Sequence, residues 1–251
     1  MRVSTVMCII MLSGGVLPGR GSAQLAEPLY AIDHPTAGLL QHGQYHLQGR
    51  LGAASSFLAA VRLGIKDVFQ IGVSFGMQNV FERGEIELND HIGFRFRLRL
   101  LEEAETPAMA AGFNSQGQGY YHGRLERYER KSPGFYLVLS KNYLLAIGYL
   151  SIHGGANYSL ERNDDDDPDL FLAADWEPVG GFSIVLDADA ALNDNVEGDG
   201  FGSGGIYLDA GIRLDYGENL SLMLIFRDVT ENLEGSNDFG REFELVFVDA
   251  F

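Results

Sequence analysis

From about residue 43 to Phe251, the chain contains twelve segments in which every second residue is apolar, and the connections between them alternate between short and long. Successive side chains of a β-strand point to opposite faces, so this alternation predicts strands. Alternating short and long connections are typical of transmembrane β-barrels, whose periplasmic turns are short and whose outer loops are longer. The sequence therefore predicts an all-β fold: an antiparallel transmembrane β-barrel of about twelve strands over residues 43–251.

Charged residues recur on the polar face of these predicted strands. The segment His91–Leu101 shows this most clearly, because its apolar residues alternate with three arginines. The charges that we place on the polar face are Arg95, Arg97, Arg99, Asp187, Asp189, Asp209, Arg213 and Asp215. In a membrane barrel these side chains line a wet lumen, whereas in a soluble barrel they form the solvated exterior around an apolar interior.

The first 23 residues favour the membrane alternative. Arg2 is followed by the short apolar stretch Val6–Leu12, and Gly21-Ser22-Ala23 fits a cleavage site before Gln24. This arrangement predicts a secretory signal peptide over residues 1–23, with a buried N-terminal helix as the alternative. The only cysteine, Cys8, lies within it, so the mature chain is expected to have no disulfide and no cysteine-based metal site.

Residues 24–42 do not resemble a strand. They contain Pro28, Pro35 and the run Asp33-His34-Pro35-Thr36-Ala37-Gly38. We expect an ordered N-terminal segment that either lies in the periplasm or plugs the barrel.

Composition excludes several classes of function. The net charge of −17 should repel nucleic acid. No phosphate loop, dinucleotide fingerprint or zinc-binding spacing is present, so we expect no cofactor. The acidic stretches Asn163–Asp169 and Asn193–Gly200 offer carboxylates for calcium. Neither follows an EF-hand pattern, so we interpret both as solvated outer loops and predict no metal site.

The arginine ladder of Arg95, Arg97 and Arg99 has two interpretations. It attracts acidic solutes, such as uronate-containing sugars, into the lumen. Alternatively, it forms an internal salt-bridge network with acidic residues of other strands. The acidic partners expected in that case are Asp187, Asp189, Asp209, Glu242 and Glu244.

Enzymatic activity is not expected. Nucleophilic catalysis needs a hydroxyl beside an oriented base. Ser151 and His153 are the nearest such pair, two residues apart on one predicted strand. We predict no catalytic residues.

The C-terminal strand resembles the terminal signature of bacterial outer-membrane barrels. Phe243, Leu245, Phe247 and Phe251 match its alternate apolar residues and terminal aromatic, while Asp249 departs from it. The resemblance implies recognition by the barrel-assembly machinery.

The N-terminal half is similar to the YjbH-like outer-membrane proteins, which are linked to exopolysaccharide production and export. The similarity rests on Ile32–Gly38, on Gly43-Gln44-Tyr45, on Arg99-Leu100-Leu101-Glu102-Glu103 and on Pro107–Gly112. The chain is much shorter than typical members of that family. The resemblance implies a barrel accessory to polysaccharide export and carries no catalytic residues.

Four hypotheses for function follow. The first is a non-enzymatic outer-membrane barrel accessory to exopolysaccharide export or surface display, with polysaccharide-export components as partners. The alternatives are a small-solute channel with a charged lumen, and a structural barrel that acts through its acidic outer loops. A soluble periplasmic β-barrel binding module is the remote alternative. The first three place the chain in the outer membrane, in contact with lipid and lipopolysaccharide.

Overall fold

A computed structural model describes residues 27–52, 55–80, 85–161, 165–195, 201–233 and 240–251, apart from the side chain of residue 90. The predicted signal peptide, residues 1–23, lies outside the described residues. No helix in these ranges is long and apolar enough to cross a membrane.

Twelve antiparallel strands form a closed barrel, as the alternation predicts. The barrel strands are β1 (Gln44–Leu51), β2 (Phe57–Ile65), β3 (Phe69–Gln78), β4 (Glu87–Leu101), β5 (Ala108–Asn114), β8 (Gly134–Leu144), β9 (Tyr149–Tyr158), β10 (Asp169–Val179), β11 (Phe182–Asp189), β12 (Tyr207–Tyr216), β13 (Leu220–Arg227) and β14 (Gly240–Ala250). Each strand pairs with its sequence neighbour, and β1 pairs with β14 from Gln44↔Ala250 to Leu51↔Phe243. This seam leaves no free strand edge, which is the condition for a sheet to stand in lipid.

The sequence pattern also predicts one strand over Leu144–Tyr158 and a long connection over Asn114–Pro133, and both of these assignments are wrong. The stretch Leu144–Tyr158 is not one strand: Leu144 ends β8, a turn follows, and β9 begins at Tyr149. Gly148 ends that turn with a φ of +73°, a conformation that glycine adopts without strain. The stretch Asn114–Pro133 is not simply a loop, because it contains the two-stranded hairpin of β6 (Gln118–His122) and β7 (Arg127–Arg130). We call β6 and β7 the outer hairpin.

The two faces of the barrel wall differ in polarity. Large apolar side chains are exposed on the outside of the strands, including Val73, Phe94, Leu137, Leu172 and Leu186. Charged and polar side chains at the alternate positions are buried inside. A contiguous apolar exterior of this extent is not tolerated by soluble monomers. It is the arrangement of a barrel whose outside faces lipid.

Candidate functional site: the lumen and its N-terminal hairpin

The lumen is occupied by the segment that precedes β1. Residues 29–36 form a tight turn that we call the N-terminal hairpin, with Tyr30 bridged to Pro35. The backbone N–H of Ala31 donates to His34 O at 3.0 Å, and that of Thr36 donates to Leu29 O at 3.1 Å. The segment has no period-two pattern because, apart from these two bonds, its backbone bonds mainly to side chains of the barrel wall.

The segment enters the barrel at the end that holds the short turns and the C-terminal residue Phe251. Phe251 donates its N–H to Gly43 O at 3.2 Å, and Gly43 donates to Gly64 O at 3.2 Å. A Cβ atom on Gly64 would lie 2.1 Å from Gln41 O. Glycine at this wall position therefore leaves the room through which the chain passes from β1 into the lumen.

Asp187 of β11 binds the tip of the hairpin. Its Oδ2 accepts the backbone N–H groups of Ile32, Asp33 and His34 at 3.1, 2.8 and 3.0 Å. Its Oδ1 lies 2.6 Å from His34 Nδ1. One wall carboxylate thus satisfies four polar atoms of the hairpin.

Three arginines surround the carboxylate of Asp33. Arg50 Nη1 lies 2.8 Å from Asp33 Oδ1, and Arg227 Nη2 lies 2.9 Å from the same oxygen. Arg227 also makes a second, shorter contact through Nη1, and Arg130 Nη1 lies 3.7 Å from Oδ2. Burial raises the pKa of Asp33, but the charges of these arginines outweigh it and hold the pKa far below its usual range.

His34 is held between two carboxylates. Its Nε2 lies 3.4 Å from Asp189 Oδ2, on the side opposite Asp187, and its ring stacks on Phe171 at 4.7 Å between centroids. Burial lowers the pKa of His34, but Asp187 and Asp189 raise it well above the usual value. The imidazolium form is therefore favoured at neutral pH, and it binds the hairpin to β11.

Apolar contacts complete the fit of the hairpin. Ile32 is buried against inward-facing Val185, Met223 and Ile225, which are apolar residues on the otherwise polar face of the wall. Ala37 packs in a second buried cluster with Val138 and other residues. Apolar residues of the wall thus pack against apolar residues of this segment.

Two residues of the arginine ladder contact the hairpin segment rather than acidic residues of other strands. Arg97 is fully buried and donates to Tyr136 OH, Gly38 O and Leu29 O at 2.9, 2.6 and 2.8 Å. Arg99 donates to Ala37 O at 3.0 Å and to the carboxylate of Glu27. This differs from the expected salt-bridge network with Asp187, Asp189, Asp209, Glu242 and Glu244.

Arg95 is also buried, and its Nε donates to Asn114 Oδ1 at 2.9 Å. The third arginine of the ladder thus contacts an amide and no carboxylate among the described residues.

The acidic wall residues pair with other cations. Asp209 contacts Arg130 and Arg227 at 2.8 and 3.0 Å. Arg213 lies 2.5 Å from Asp175 Oδ2 and 3.4 Å from Asp215 Oδ2. These acidic residues are therefore paired with arginines, one of which, Arg130, belongs to the outer hairpin.

Glu242 and Glu244 of β14 face the same cluster. Glu242 lies 2.7 Å from Arg227, and Glu244 lies 2.6 Å from Arg50. Sequence reasoning had no candidate in Arg50, Arg130 or Arg227, because none of them belongs to an alternating run of charges like that of β4.

The outer hairpin folds across the other mouth of the barrel. Arg127 donates to Asp194 at 2.9 Å, and Lys131 donates to the backbone oxygens of Asp165 and Asn193 at 2.7 and 2.6 Å. The described parts of both acidic loops thus bind the outer hairpin. Within the described ranges, no three histidine, cysteine or acidic side chains are grouped to hold a metal ion.

Small spaces remain at the outer end of the lumen, and two of them are lined by described residues. One of about 290 Å³ lies between His34, Asp189 and the outer loops. Another of about 400 Å³ opens at the outer end of β1–β4 beside Arg50, Gly76 and Asn89.

The serine and histidine considered for catalysis are not paired with each other. Ser151 donates to Asn142 at 2.6 Å, and His153 Nδ1 lies 2.7 Å from Ser140 Oγ. That oxygen also accepts the N–H of Ala37 at 2.8 Å, so the Ser140–His153 pair anchors the segment after the hairpin.

No protein-family model matches the chain, and no curated protein matches it either. The similarity to YjbH-like proteins therefore gains no support. Among solved structures, the chain is similar to a KdgM porin (9% identity, TM-score 0.49), with 83% of this chain and 99% of that chain covered. It is also similar to a NanC porin (7% identity, TM-score 0.47), with 82% of this chain and 99% of that chain covered. A third similar structure is an outer membrane channel from Pseudomonas putida F1 (11% identity, TM-score 0.42), with 84% of this chain and 97% of that chain covered. Similarity at this level carries no functional argument.

Proposed function

We propose that this chain is an outer-membrane barrel that acts as a gated channel for small solutes, with its own N-terminal hairpin as the gate. The observation that carries the proposal is the content of the lumen. A charged, inward-facing wall surrounds the N-terminal hairpin, which the chain connects to β1 through residues 37–43. Displacement of this hairpin and of the outer hairpin would leave a polar passage through an apolar-sided barrel.

The membrane location rests on the exterior. Exposed leucine, isoleucine, valine and phenylalanine side chains alternate with buried polar ones on the strands. Tyr143, Tyr149, Trp176 and Tyr216 are exposed near the short turns. Aromatic residues at this level suit the interface between lipid and water.

The bonds that hold the hairpin favour a gate over a permanent filling. Most of them are hydrogen bonds and ion pairs, which water and solute ions can replace. The hairpin is also a short N-terminal segment, so its departure breaks no pairing between barrel strands. The outer hairpin closes the opposite mouth through similar polar bonds, and passage requires that it move as well.

An accessory role in polysaccharide export remains a prediction from the sequence resemblance alone. The residues that carry the resemblance have structural tasks: Asp33 and His34 bind the hairpin to the wall, and Arg99 binds Ala37. A structural role through the outer loops also remains a prediction.

A reversible lock tests the gate. Ser140 Oγ lies beside the backbone of Ala37, and the mature chain is expected to contain no cysteine, so Ala37→Cys with Ser140→Cys can join the hairpin segment to β8. We expect conductance events in planar bilayers from wild type and from the reduced double variant. Oxidation should abolish them, whereas the Ala37→Cys single variant should be unaffected. Equal conductance before and after verified disulfide formation, or no conductance from the reduced and wild-type proteins, would refute the proposal.

A further inference from the structure

One side of the lumen carries three arginines that form no salt bridge with a described carboxylate. Arg62 of β2 and Arg95 and Arg97 of β4 are 2%, 8% and 0% exposed. Their guanidinium carbons lie 4.9, 5.6 and 5.1 Å from the centre of the Tyr30 ring. We call these three residues the arginine trio.

The hydrogen-bond partners of the arginine trio are neutral. Arg62 bonds to His46 Nδ1 and Gln48 Oε1, both at 2.8 Å. Arg95 bonds to Asn114, and Arg97 bonds to a phenol and two backbone carbonyls. Among the described side chains, none of the three forms a salt bridge, and Arg62 Nε and Arg95 Nη1 have no partner at all.

Four other lumen arginines behave differently. Arg50, Arg130, Arg213 and Arg227 each lie within 4 Å of at least two carboxylates. Buried charges are normally paired in this way, because an isolated one costs much solvation energy. The arginine trio therefore marks a site whose natural counter-charge is not part of the wall.

The strand register gives this site its shape. His46, Arg62, Gly72, Arg95 and Asn114 lie in one row across β1–β5. Gly72 lies between the two arginines, where a Cβ atom would come within 2.7 Å of Arg62 Cγ. The absence of a side chain at Gly72 therefore leaves room for the side chain of Arg62 between β2 and β4.

The site is aligned with the outer cavity. That cavity is bounded by Gly76 and Asn89, on the strands β3 and β4 that border the trio. Gly76 lies four residues from Gly72 along β3, or about 13 Å. Between Gly72 and Gly76 on β3, Ser74 donates a hydrogen bond to Gln116 at 2.8 Å.

From these observations we infer that the arginine trio binds an oxyanion-bearing solute and that this solute and Tyr30 compete for the same guanidinium groups. The inference rests on the proposed function and adds the class of solute and the means of opening. Tyr30 offers the arginines a π-face and the hairpin offers them carbonyls. A carboxylate or phosphate offers charge-assisted hydrogen bonds, which are roughly twice as strong as neutral ones. Binding of the anion thus displaces the hairpin.

Cysteine accessibility tests the competition without relying on conductance. Ser140→Cys places a thiol where the segment after the hairpin covers it, and a polar maleimide reports its exposure in the full-length protein in vesicles. We expect sodium glucuronate to increase the labelling rate severalfold, and glucose, its uncharged analogue, to leave the rate unchanged. Inorganic phosphate tests whether the site also needs a sugar ring. A site for any oxyanion gives the same increase in labelling rate with phosphate as with glucuronate, whereas a site that needs the ring gives no increase with phosphate.

Variants assign the effect to the trio. In the Ser140→Cys background, Arg62→Gln and Arg95→Gln should abolish the response to glucuronate. Arg213→Gln is the matched control, because it removes a buried lumen arginine that is paired with Asp175 and Asp215, and its response should persist. Glucuronate and glucose acting alike, or Arg95→Gln responding like the parent, would overturn the inference. If the wild type and the reduced double variant never conduct, the proposed channel fails while the binding result stands.

Discussion

Replacing Asp33 by asparagine should open the channel. The substitution keeps the size of the side chain and removes the charge that Arg50, Arg130 and Arg227 surround. The hairpin then loses the ion pairs that Asp33 makes with these arginines, while the barrel strands keep their pairing. The variant should therefore fold as the wild type does and spend more time open.

The size of the effect follows from the burial of the pair. Removing one partner of a buried salt bridge costs about 3–5 kcal/mol. The lower figure applies here, because Arg50 keeps Glu244 and Arg227 keeps Glu242 and Asp209. A loss of about 3 kcal/mol lowers the ratio of closed to open barrels by about 100-fold, since 1.4 kcal/mol corresponds to a factor of ten.

Single-channel recording in planar bilayers measures this ratio as the open fraction of time. Asp215→Asn is the matched control: it makes the same chemical change on a lumen carboxylate that contacts Arg213 and does not touch the hairpin. We expect a large rise for Asp33→Asn and none for Asp215→Asn. Equal open fractions for wild type and Asp33→Asn would show that this ion cluster does not hold a gate.

Three further outcomes are expected. The open fraction of the wild type should rise as the pH increases above neutral. The pKa of His34 is raised, so the protonated ring attracts Asp187 and Asp189 at low pH, and this attraction is lost when the imidazolium deprotonates. A His34→Gln variant with the same pH profile as the wild type in bilayer recordings would contradict this. Ile32→Ala should also favour opening, by about 2 kcal/mol or more, because it empties a buried apolar contact; an open fraction no higher than wild type in the same recordings would count against it. Boiling should change the mobility of the outer-membrane protein on a detergent gel, and deletion of Phe251 should reduce the amount of the unboiled, folded form; folded protein found only in a soluble fraction would rule out the membrane assignment.

The barrel could be predicted from the sequence because its signal is local. Along β4 and β12 the alternation of apolar and polar residues continues for most of the strand, and each residue reports its own face. The break at Leu144 was missed because the apolar run continues through the turn to Tyr149. The outer hairpin was missed because β6 and β7 are too short to show a period.

The site was less predictable because its contacts join distant parts of the chain. Asp33 meets Arg227 across 194 residues, and Ile32 meets Asp187 across 155. Such pairs depend on the register of every strand between them, which no local pattern contains. The run of arginines on β4 indicated which face of the strand is polar, but the residues that these arginines contact could not be predicted from the sequence. Tyr30 and the backbone carbonyls of the hairpin have no charge to mark them.

The seam between β1 and β14 also has a consequence for the order of assembly. The N-terminal hairpin is continuous with β1, and β1 completes the wall only by pairing with the last strand of the chain. The hairpin is bound by Arg227 of β13 and by Arg50, which Glu244 of β14 orients. The residues that close the wall are therefore adjacent to those that bind the N-terminal hairpin. A barrel in which β14 has not yet paired with β1 lacks part of the binding site for that hairpin. Sealing of the bilayer and closure of the barrel thus become a single event in biogenesis, which spares the cell an open pore during insertion.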